Sequence, residues 1–347
     1  MRVAHLIWSF TTGGIETMLI DIVNEQVKTC DVRIFIINDK YDTNLIKQFN
    51  KKVKIKIIKR PPGDKSPYYL LSLNIKLLLF RPDIIHCHQG NIAKIVWIPA
   101  KKVLTIHNTH STTVGYSKFQ LLFCISKAVK DYTAKQGFPN GIVVYNGIHT
   151  DAISVKEYVK NPDRNHIRIV CVGRLHPDKG QRVLIDALNI LINKRKASSL
   201  SIDFVGDGVD RKFLEDYVLA YHLVGYVNFL GSKSRSWLYS RLKDYDLLVL
   251  PSISEGFGLT LAEGCAAKLS VLSCDLKGPL EVLDGGRLGL TFKTGYADSL
   301  ADKIEDFANS EINMQTIEEA FTFVKNNFDV KMTSENYIKG YKSVLKC

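Results

Sequence analysis

Residues 249–265 read VLPSISEGFGLTLAEGC, and this stretch decides the fold of the half of the chain around it. The apolar run 247–250 has the length and composition of a buried strand, and Pro251 ends that strand. A loop with two glycines follows, and a helical pattern of apolar residues begins at Leu259. Strand, loop and helix in this order indicate one α/β unit.

The start of this helix predicts an anion-binding site. The first backbone N–H groups of a helix have no partner within the helix, so those of Gly258, Leu259 and Thr260 would point outward. Glycines beside them let a ligand come close to the backbone, and the helix N-terminus favours negative charge. We therefore expect an anion to bind here.

Two glutamates, Glu255 and Glu263, flank the expected anion. They are eight positions apart, which is about 12 Å of rise along a helix. This does not suggest a hydrolase pair of carboxylates at roughly 5–9.5 Å. We expect separate roles, with Glu263 binding the ribose of a nucleotide and Glu255 binding the group attached to its diphosphate. The alternative is a solvated loop glutamate and an ordinary helix glutamate.

The segment resembles the Glu-x7-Glu signature of retaining glycosyltransferases of family 4, which have the GT-B fold. The resemblance covers nearly the whole chain, because other family landmarks are matched in order at 172–175, 179–180, 204–208 and 227–231. Residues 275–282 resemble the variant found in members that build bacterial surface polysaccharides. The resemblance implies two Rossmann-like α/β domains whose parallel sheets face each other across a cleft, with the last helix crossing back to the first domain.

The length of 347 residues suits two domains. A polar linker at 161–165 places the boundary there. The first domain is thus expected at 1–160, joined by the final helix at about 332–347, and the nucleotide-sugar domain at 161–331. The chain start reads as a buried strand and not as a signal peptide, and no apolar run has the length of a membrane span.

The net charge and the cysteine content indicate the kind of binding partner and the cellular compartment. The formal net charge of +12 calls for an anionic partner, and a nucleotide diphosphate, an anionic lipid and a nucleic acid all fit. Seven cysteines without a Cys-x-x-Cys pair suit reduced thiols in a cytoplasmic protein.

The first strand, predicted at 3–7, ends in a turn with Gly13 and Gly14 that opens a helix. Strand, glycine turn and helix are typical of nucleotide-binding units, but the glycine spacing does not support a dinucleotide. A plain tight turn is the alternative. By resemblance, this loop approaches the donor's phosphates and sugar. Further strands are predicted at 32–37, 53–58, 84–87, 143–148, 167–172, 201–205 and 227–230, and the intervening helical patterns favour parallel sheets.

Residues 51–65 hold seven basic residues and precede an apolar helix tipped with aromatic residues. The basic segment and the apolar helix together could dock on an anionic membrane, where each cation contributes about 1 kcal/mol to binding. The alternative is a solvated strand edge beside a core helix.

Four histidines cluster near expected strand ends, in His86-Cys87-His88 and His107-Asn108-Thr109-His110. Their spacing matches no standard zinc pattern, so no metal is expected. Ligands nevertheless bind at the ends of parallel strands. By resemblance, His107 is the active-site histidine close to the transferred sugar; the alternative is an ordinary histidine at a strand end. His88 is a weaker candidate.

Arg174 and Lys179 lie in a turn between a strand and a helix. The arginine supplies a rigid fork and the lysine a point charge, so together they could hold a diphosphate; solvated turn residues are the alternative. By resemblance, Ser232 lies in the loop that reads the base. Gly264 and Lys277 depart from the family pattern, and Lys277 puts the donor-sugar contacts of its loop in doubt.

The expected function is transfer of a sugar, with retention, from a nucleotide-sugar to a lipid-linked sugar or glycan in O-antigen or capsule synthesis at the cytoplasmic face of the inner membrane. UDP-sugar is the expected donor substrate, no cofactor is expected, and Arg174, Lys179 and the helix N-terminus would stabilise the leaving group without a metal. The alternatives are a sugar-nucleotide epimerase, a basic nucleic-acid-binding protein and an inactive partner subunit.

Overall fold

The computed structural model describes residues 1–11, 13–110, 112–158, 166–197 and 199–346. It folds as two compact units, the first comprising Met1–Gly147 with Asp329–Cys347 and the second comprising Ile148–Phe328. The chain thus enters the second unit after Gly147 and leaves it after Phe328. The polar linker 161–165, where the sequence places the domain boundary, lies outside the described residues.

The regular elements follow one another as strands and helices throughout the described chain. Up to residue 147 they are β1 (Arg2–Ile7), α1 (Gly14–Gln26), β2 (Asp31–Asn38), α2 (Thr43–Ile46), β3 (Lys54–Arg60), α3 (Pro67–Phe80), β4 (Ile84–Cys87), β5 (Lys101–Ile106), β6 (Leu121–Cys124), α4 (Lys127–Lys135) and β7 (Ile142–Val143). After it come β8 (Ile167–Val172), α5 (Gln181–Asn189), β9 (Leu200–Val205), α6 (Arg211–Ala220), β10 (Val227–Gly231), α7 (Arg235–Arg241), β11 (Leu247–Leu250), α8 (Leu259–Ala266), β12 (Ser270–Cys274), α9 (Lys277–Val282), β13 (Leu290–Phe292), α10 (Ala297–Asn309), α11 (Met314–Asn327) and α12 (Val330–Lys346).

The first unit is built on a seven-stranded sheet with the order β3-β2-β1-β4-β5-β6-β7. All of its strand pairs are parallel, as the alternation of strands and helical patterns predicts. The first four predicted strands are present as β1 to β4. The strand predicted at 143–148 is confirmed only at its start, because β7 covers Ile142–Val143 and ends there.

Helix α12 belongs to the first unit, which confirms that the last helix returns to the first domain. It packs on α1, and its Tyr337 and Tyr341 are fully buried. A Cβ on Gly340 would lie 2.5 Å from a ring carbon of Phe123 on β6, so only glycine lets the helix approach the sheet this closely.

The second unit has a six-stranded parallel sheet with the order β10-β9-β8-β11-β12-β13. Both units therefore have the Rossmann-like order in which the chain starts in the middle of the sheet and builds outward on each side. Ligands of such sheets bind outside the carboxyl ends of the strands, where the loops after β8, β9, β11 and β12 lie in this unit.

Candidate functional site

The loops at the carboxyl edge of the second sheet pack backbone against backbone. A Cβ on Gly180, whose φ is +65°, would overlap the carbonyl oxygen of Pro251 at the end of β11. A Cβ on Gly206 would likewise overlap the carbonyl oxygen of Gly173. The backbone N–H groups of Ile253 and Ser254 donate to the carbonyl oxygen of Asp178 over 2.9 and 3.2 Å. These contacts hold the turn after β8 against the loop after β11.

This packing brings Lys179 and Glu255 together. The ammonium of Lys179 donates to a carboxylate oxygen of Glu255 over 2.7 Å, and both side chains are largely removed from solvent. The other carboxylate oxygen accepts the backbone N–H of Gly256 over 3.1 Å. The sequence predicts separate partners for the two side chains, a diphosphate for Lys179 and a sugar for Glu255, whereas in the structure they bind each other.

Arg174, the second cation of the predicted clamp, is exposed. Its carbonyl oxygen accepts the side-chain amide of Gln181 over 3.0 Å, which holds its backbone on the first turn of α5. Within the described ranges, its guanidinium has neither a hydrogen-bond partner nor an ion pair. The five N–H donors of this side chain are therefore available to an anion.

Helix α8 begins as the sequence predicts. Gly258 caps it with φ +100°, a conformation that favours glycine. The backbone N–H groups of Leu261 and Ala262 donate to the carbonyl oxygen of Gly258, whereas those of Leu259 and Thr260 precede the first of these bonds and have no acceptor within the helix. Glu263 lies in the next turn and is buried, with 8% of its surface exposed.

Three further residues that the sequence analysis singled out, Ser232, Gly264 and Lys277, also lie in the second unit. Ser232 is exposed just after β10. The departure at Gly264 has a packing reason, since a Cβ there would lie 3.0 Å from Val271 on β12 and 3.1 Å from Leu248 on β11. Lys277 is exposed at the first residue of α9.

In the first unit, Gly13 and Gly14 lie where α1 starts, as predicted. Gly13 has an extended backbone with φ −173°, and its carbonyl oxygen accepts the hydroxyl of Thr17 over 2.8 Å. Neither glycine has a left-handed backbone, so neither is required for its φ. Thr12, which precedes them, is outside the described residues.

His107 follows β5 and belongs to a row of histidines joined by hydrogen bonds. Its Nε2 lies 3.3 Å from Nδ1 of His88, and Nε2 of His88 lies 3.1 Å from Nδ1 of His5. Nε2 of His5 lies 2.8 Å from the side-chain oxygen of Gln26. His5 and Gln26 have no exposed surface, and His88 has 3%. The row therefore runs from the interior at α1 to the edge of the sheet.

Two family models match the chain one after the other. The model described as Glycosyltransferase Family 4 matches residues 12–152, and the model described as Glycosyl transferases group 1 matches residues 155–322. The chain belongs to this glycosyltransferase family. The prediction of the family and of the GT-B fold, with its two Rossmann-like domains, is thereby confirmed.

The names of several relatives describe glycosyltransferases that act on glycans and lipids. The lipopolysaccharide 1,6-galactosyltransferase of Salmonella typhimurium is 24% identical over 330 residues, which are 87% of this chain and 88% of that protein. The phosphatidyl-myo-inositol mannosyltransferase of Mycobacterium leprae is 22% identical over 76% of this chain and 74% of that protein. A crystal structure of Anabaena Alr3699/HepE in complex with UDP has a TM-score of 0.81 at 20% identity, covering 99% of this chain and 100% of that one.

Four histidines of this glycosyltransferase, namely His5, His86, His88 and His107, are held neutral by burial. Burial lowers the pKa of both His5 and His107 to about 4, although the hydrogen bond to Gln26 partly opposes the shift of His5. Burial also lowers the pKa of His86 and of His88 well below the usual value, and the neighbouring histidines add to both shifts. A neutral imidazole has one donor and one acceptor nitrogen, so each can join two neighbours.

His5, His86 and His88 have ring nitrogens within 4.8 Å of one another, a spacing that could suit a metal ion. All six of these nitrogens already have hydrogen-bond partners. Those of His86 lie 2.6 Å from the hydroxyl of Tyr341 and 2.7 Å from that of Thr105. The residues present therefore form a satisfied polar network, which a metal ion would have to break.

His5, Gln26 and Tyr341 are members of this network that sequence reasoning missed. His5 lies in an apolar strand, and Gln26 ends an apolar helix. No local pattern distinguishes them, because their contacts join residues up to 315 positions apart.

Proposed function

We propose that this glycosyltransferase moves a sugar, with retention of anomeric configuration, from a UDP-sugar to a lipid-linked sugar or glycan in the assembly of a bacterial surface polysaccharide such as O-antigen or capsule. The observation that carries the proposal is the group formed by Lys179, Glu255 and the start of α8 at the carboxyl edge of the second sheet. The group brings together a cation, amide dipoles and a carboxylate at the edge where ligands of such sheets bind, which supports a nucleotide diphosphate with its sugar as the ligand.

The leaving diphosphate is the main electrostatic problem in this reaction. Among the described residues, the guanidinium of Arg174 is unpaired and the N–H groups of Leu259 and Thr260 have no acceptor within the helix. Together with the point charge of Lys179, they would stabilise negative charge developing on the phosphate. These groups need no metal ion as a partner. Glu263 takes the ribose hydroxyls, and Ser232 lies by the base.

Retention requires the acceptor to attack the anomeric carbon of the donor sugar on the same face from which the phosphate departs. The bond between the anomeric carbon and the phosphate oxygen breaks, a bond to the acceptor oxygen forms on the same face, and the acceptor proton passes to a phosphate oxygen. Glu255 steadies the donor sugar during this exchange, and His107 contacts the transferred sugar. Gly13 and Gly14 let the backbone approach the donor.

The acceptor proposal is supported by the surface of α3. Tyr68, Leu71, Ile75, Leu78 and Leu79 are exposed and share one side of the helix; these five residues are the outer face of α3. The opposite side packs into the first unit through Leu73, Leu77 and Phe80. Exposed lysines precede the helix on and around the edge strand β3, namely Lys51, Lys52, Lys54, Lys56, Lys59 and Lys65.

An apolar face beside cations is the combination that binds an anionic membrane. No described helix has the length and apolar character needed to span a bilayer. We therefore propose peripheral attachment of the first unit at the cytoplasmic face of the inner membrane, where a polyprenyl-diphosphate-linked acceptor would be presented. The names of the galactosyltransferase and mannosyltransferase relatives, one acting on lipopolysaccharide and one on a phosphatidylinositol, support this acceptor class.

The test is a screen of nucleotide sugars for protection against thermal unfolding. A ligand at a hundred times its dissociation constant adds about 2.7 kcal/mol of stability. UDP and one UDP-sugar should protect, and the product formed with a membrane-extracted acceptor should keep the donor's anomeric configuration by NMR. Conversion of the sugar nucleotide into an isomer without acceptor would instead show an epimerase, and an inverted linkage would refute retention.

A further inference from the structure

A single hydrogen-bonded row runs from the amide of Gln26 through His5 and His88 to His107, as described above. On its other side, the amide nitrogen of Gln26 donates to the hydroxyl of Tyr341 over 3.1 Å. That hydroxyl lies 2.6 Å from His86, whose other nitrogen meets Thr105. Among the described residues, every polar side-chain atom between Gln26 and Nε2 of His107 has a partner, so none of these groups can change its proton position alone.

The orientation of the Gln26 amide settles where each proton lies. Its nitrogen donates to Tyr341, so its oxygen faces His5 and can only accept; Nε2 of His5 must therefore carry the proton. A neutral His5 then accepts at Nδ1, which requires a proton on Nε2 of His88. By the same step, Nδ1 of His88 accepts from Nε2–H of His107.

The second branch agrees with this direction. Tyr341 accepts from Gln26 and so donates its own proton to Nδ1 of His86. His86 donates from Nε2 to the hydroxyl of Thr105, and Thr105 donates to Tyr337 over 3.2 Å. The direction of every hydrogen bond in both branches therefore follows from the orientation of the Gln26 amide. If the oxygen and nitrogen of that amide exchanged places, all of these hydrogen bonds would reverse.

We propose that Gln26, His5 and His88 are positioning residues that fix His107 in its Nε2–H tautomer, so that His107 presents the lone pair of Nδ1 as a hydrogen-bond acceptor for a substrate hydroxyl. Within the described ranges, Nδ1 of His107 has no hydrogen-bond partner of its own. The chemical class of ligand is a hydroxyl donor, and a sugar hydroxyl is the one that the proposed function supplies. That last step rests on the proposed function; the tautomer does not.

Imidazole nitrogen spectra of the protein labelled with 15N-histidine, recorded without nucleotide, test the tautomer. His107 is assigned by its loss in His107→Gln. The expected pattern is a protonated Nε2 and a bare Nδ1 on His5, His88 and His107, unchanged between about pH 8 and about pH 6, where a free histidine titrates. A proton on Nδ1 of His107 would overturn the proposal.

Gln26→Met tests the relay, since it keeps the side-chain length and removes the acceptor that orients His5. His107 should then show a mixture of tautomers. Thr105→Val is the matched control, a buried and isosteric change confined to the other branch, and it should leave the pattern of His107 unchanged. His5→Phe, which keeps a ring in place, serves if Gln26→Met does not fold.

An unaltered His107 pattern in a folded Gln26→Met or His5→Phe protein would refute the relay. The spectra need no substrate, so a failure to bind any UDP-sugar would refute the proposed function and leave this result standing. Conversely, transfer activity in a protein whose His107 carries its proton on Nδ1 would refute only the relay.

Discussion

The ammonium of Lys179 and the carboxylate of Glu255 lie 2.7 Å apart, although 76 positions separate them in the chain. Each is thereby neutralised and held in place by the other at the carboxyl edge of the second sheet. A bound diphosphate would compete with Glu255 for Lys179, and the released carboxylate would be free to accept sugar hydroxyls. Under the proposed function, binding of the diphosphate and binding of the donor sugar would be coupled through this one ion pair.

Glu255→Gln separates the two roles. The amide can no longer hold Lys179 as an ion pair, so UDP should bind at least as tightly as to the wild type. Transfer should fall by about 10²-fold or more, because the donor sugar is no longer steadied. Calorimetric titration with UDP and an assay of sugar transfer measure the two effects. Equal losses of binding and transfer would contradict this division.

Lys179→Met is the reciprocal change and should weaken UDP binding. A hydrogen bond to a charged group contributes about 1.5–3 kcal/mol, so the dissociation constant should rise by roughly 10- to 100-fold. Lys212→Met provides a control in the same unit, since Lys212 is an exposed lysine paired with Asp216. A comparable loss in the control would show that the effect comes from net charge alone.

Arg174 should matter for binding and not for folding. Because its guanidinium has no partner within the described ranges, Arg174→Gln should leave the melting temperature of the free protein unchanged and weaken UDP binding. Arg174→Lys should recover only part of the affinity, since a point charge cannot contact two phosphate oxygens as a fork does. Full recovery by lysine would show that the fork is not used.

Part of this site could be predicted from the sequence because its signals are local. The turn at Gly258, the strand before it and the helix after it are encoded within the twenty consecutive residues 247–266. The Lys179–Glu255 pair and the Gln26–His5 contact could not be predicted, since they depend on which loops and helices meet in space. The strand expected at 143–148 is confirmed only at its first residue for a similar reason: its apolar residues suit a strand, but β6 pairs with Val143 alone among them.

Gly180→Ala tests whether close backbone packing builds the second-unit site. The alanine would have to adopt φ +65° and overlap the carbonyl oxygen of Pro251. We expect a loss of stability well above 1 kcal/mol, the usual scale of a glycine effect, together with weaker UDP binding. Gly173→Ala is the matched control in the same turn, because nothing lies within 4 Å of the Cβ that it would add. Thermal unfolding measures the loss of stability in both variants. Equal destabilisation of the two would argue against the packing explanation.

The buried histidines predict a stability that falls in mild acid. His5 has a folded pKa of about 4, against about 6.5 in an unfolded chain. Between these values the unfolded state binds more protons, so stability is fully present above about pH 6.5 and is lost as the pH falls toward about 4. The slope for one such histidine reaches about 1.4 kcal/mol per pH unit. Denaturant unfolding of the full chain at several pH values measures it, and His5→Gln should show a smaller slope in this window. A slope as steep as that of the wild type would contradict the assignment.

The outer face of α3 should be required for membrane binding. Leu78 and Leu79 are 60% and 78% exposed, so they can enter a bilayer interface without unfolding the helix. Because burying a leucine stabilises by about 1.5–3 kcal/mol, replacing both with glutamine should weaken binding to anionic phospholipid vesicles by more than about tenfold and leave UDP binding unchanged. The matched control replaces Leu219 and Val224, which are 62% and 61% exposed in the second unit. Co-sedimentation at low and high salt separates the contributions of the lysines and the leucines to membrane binding, since salt screens the first and not the second. Equal binding by both double variants would place the membrane contact elsewhere.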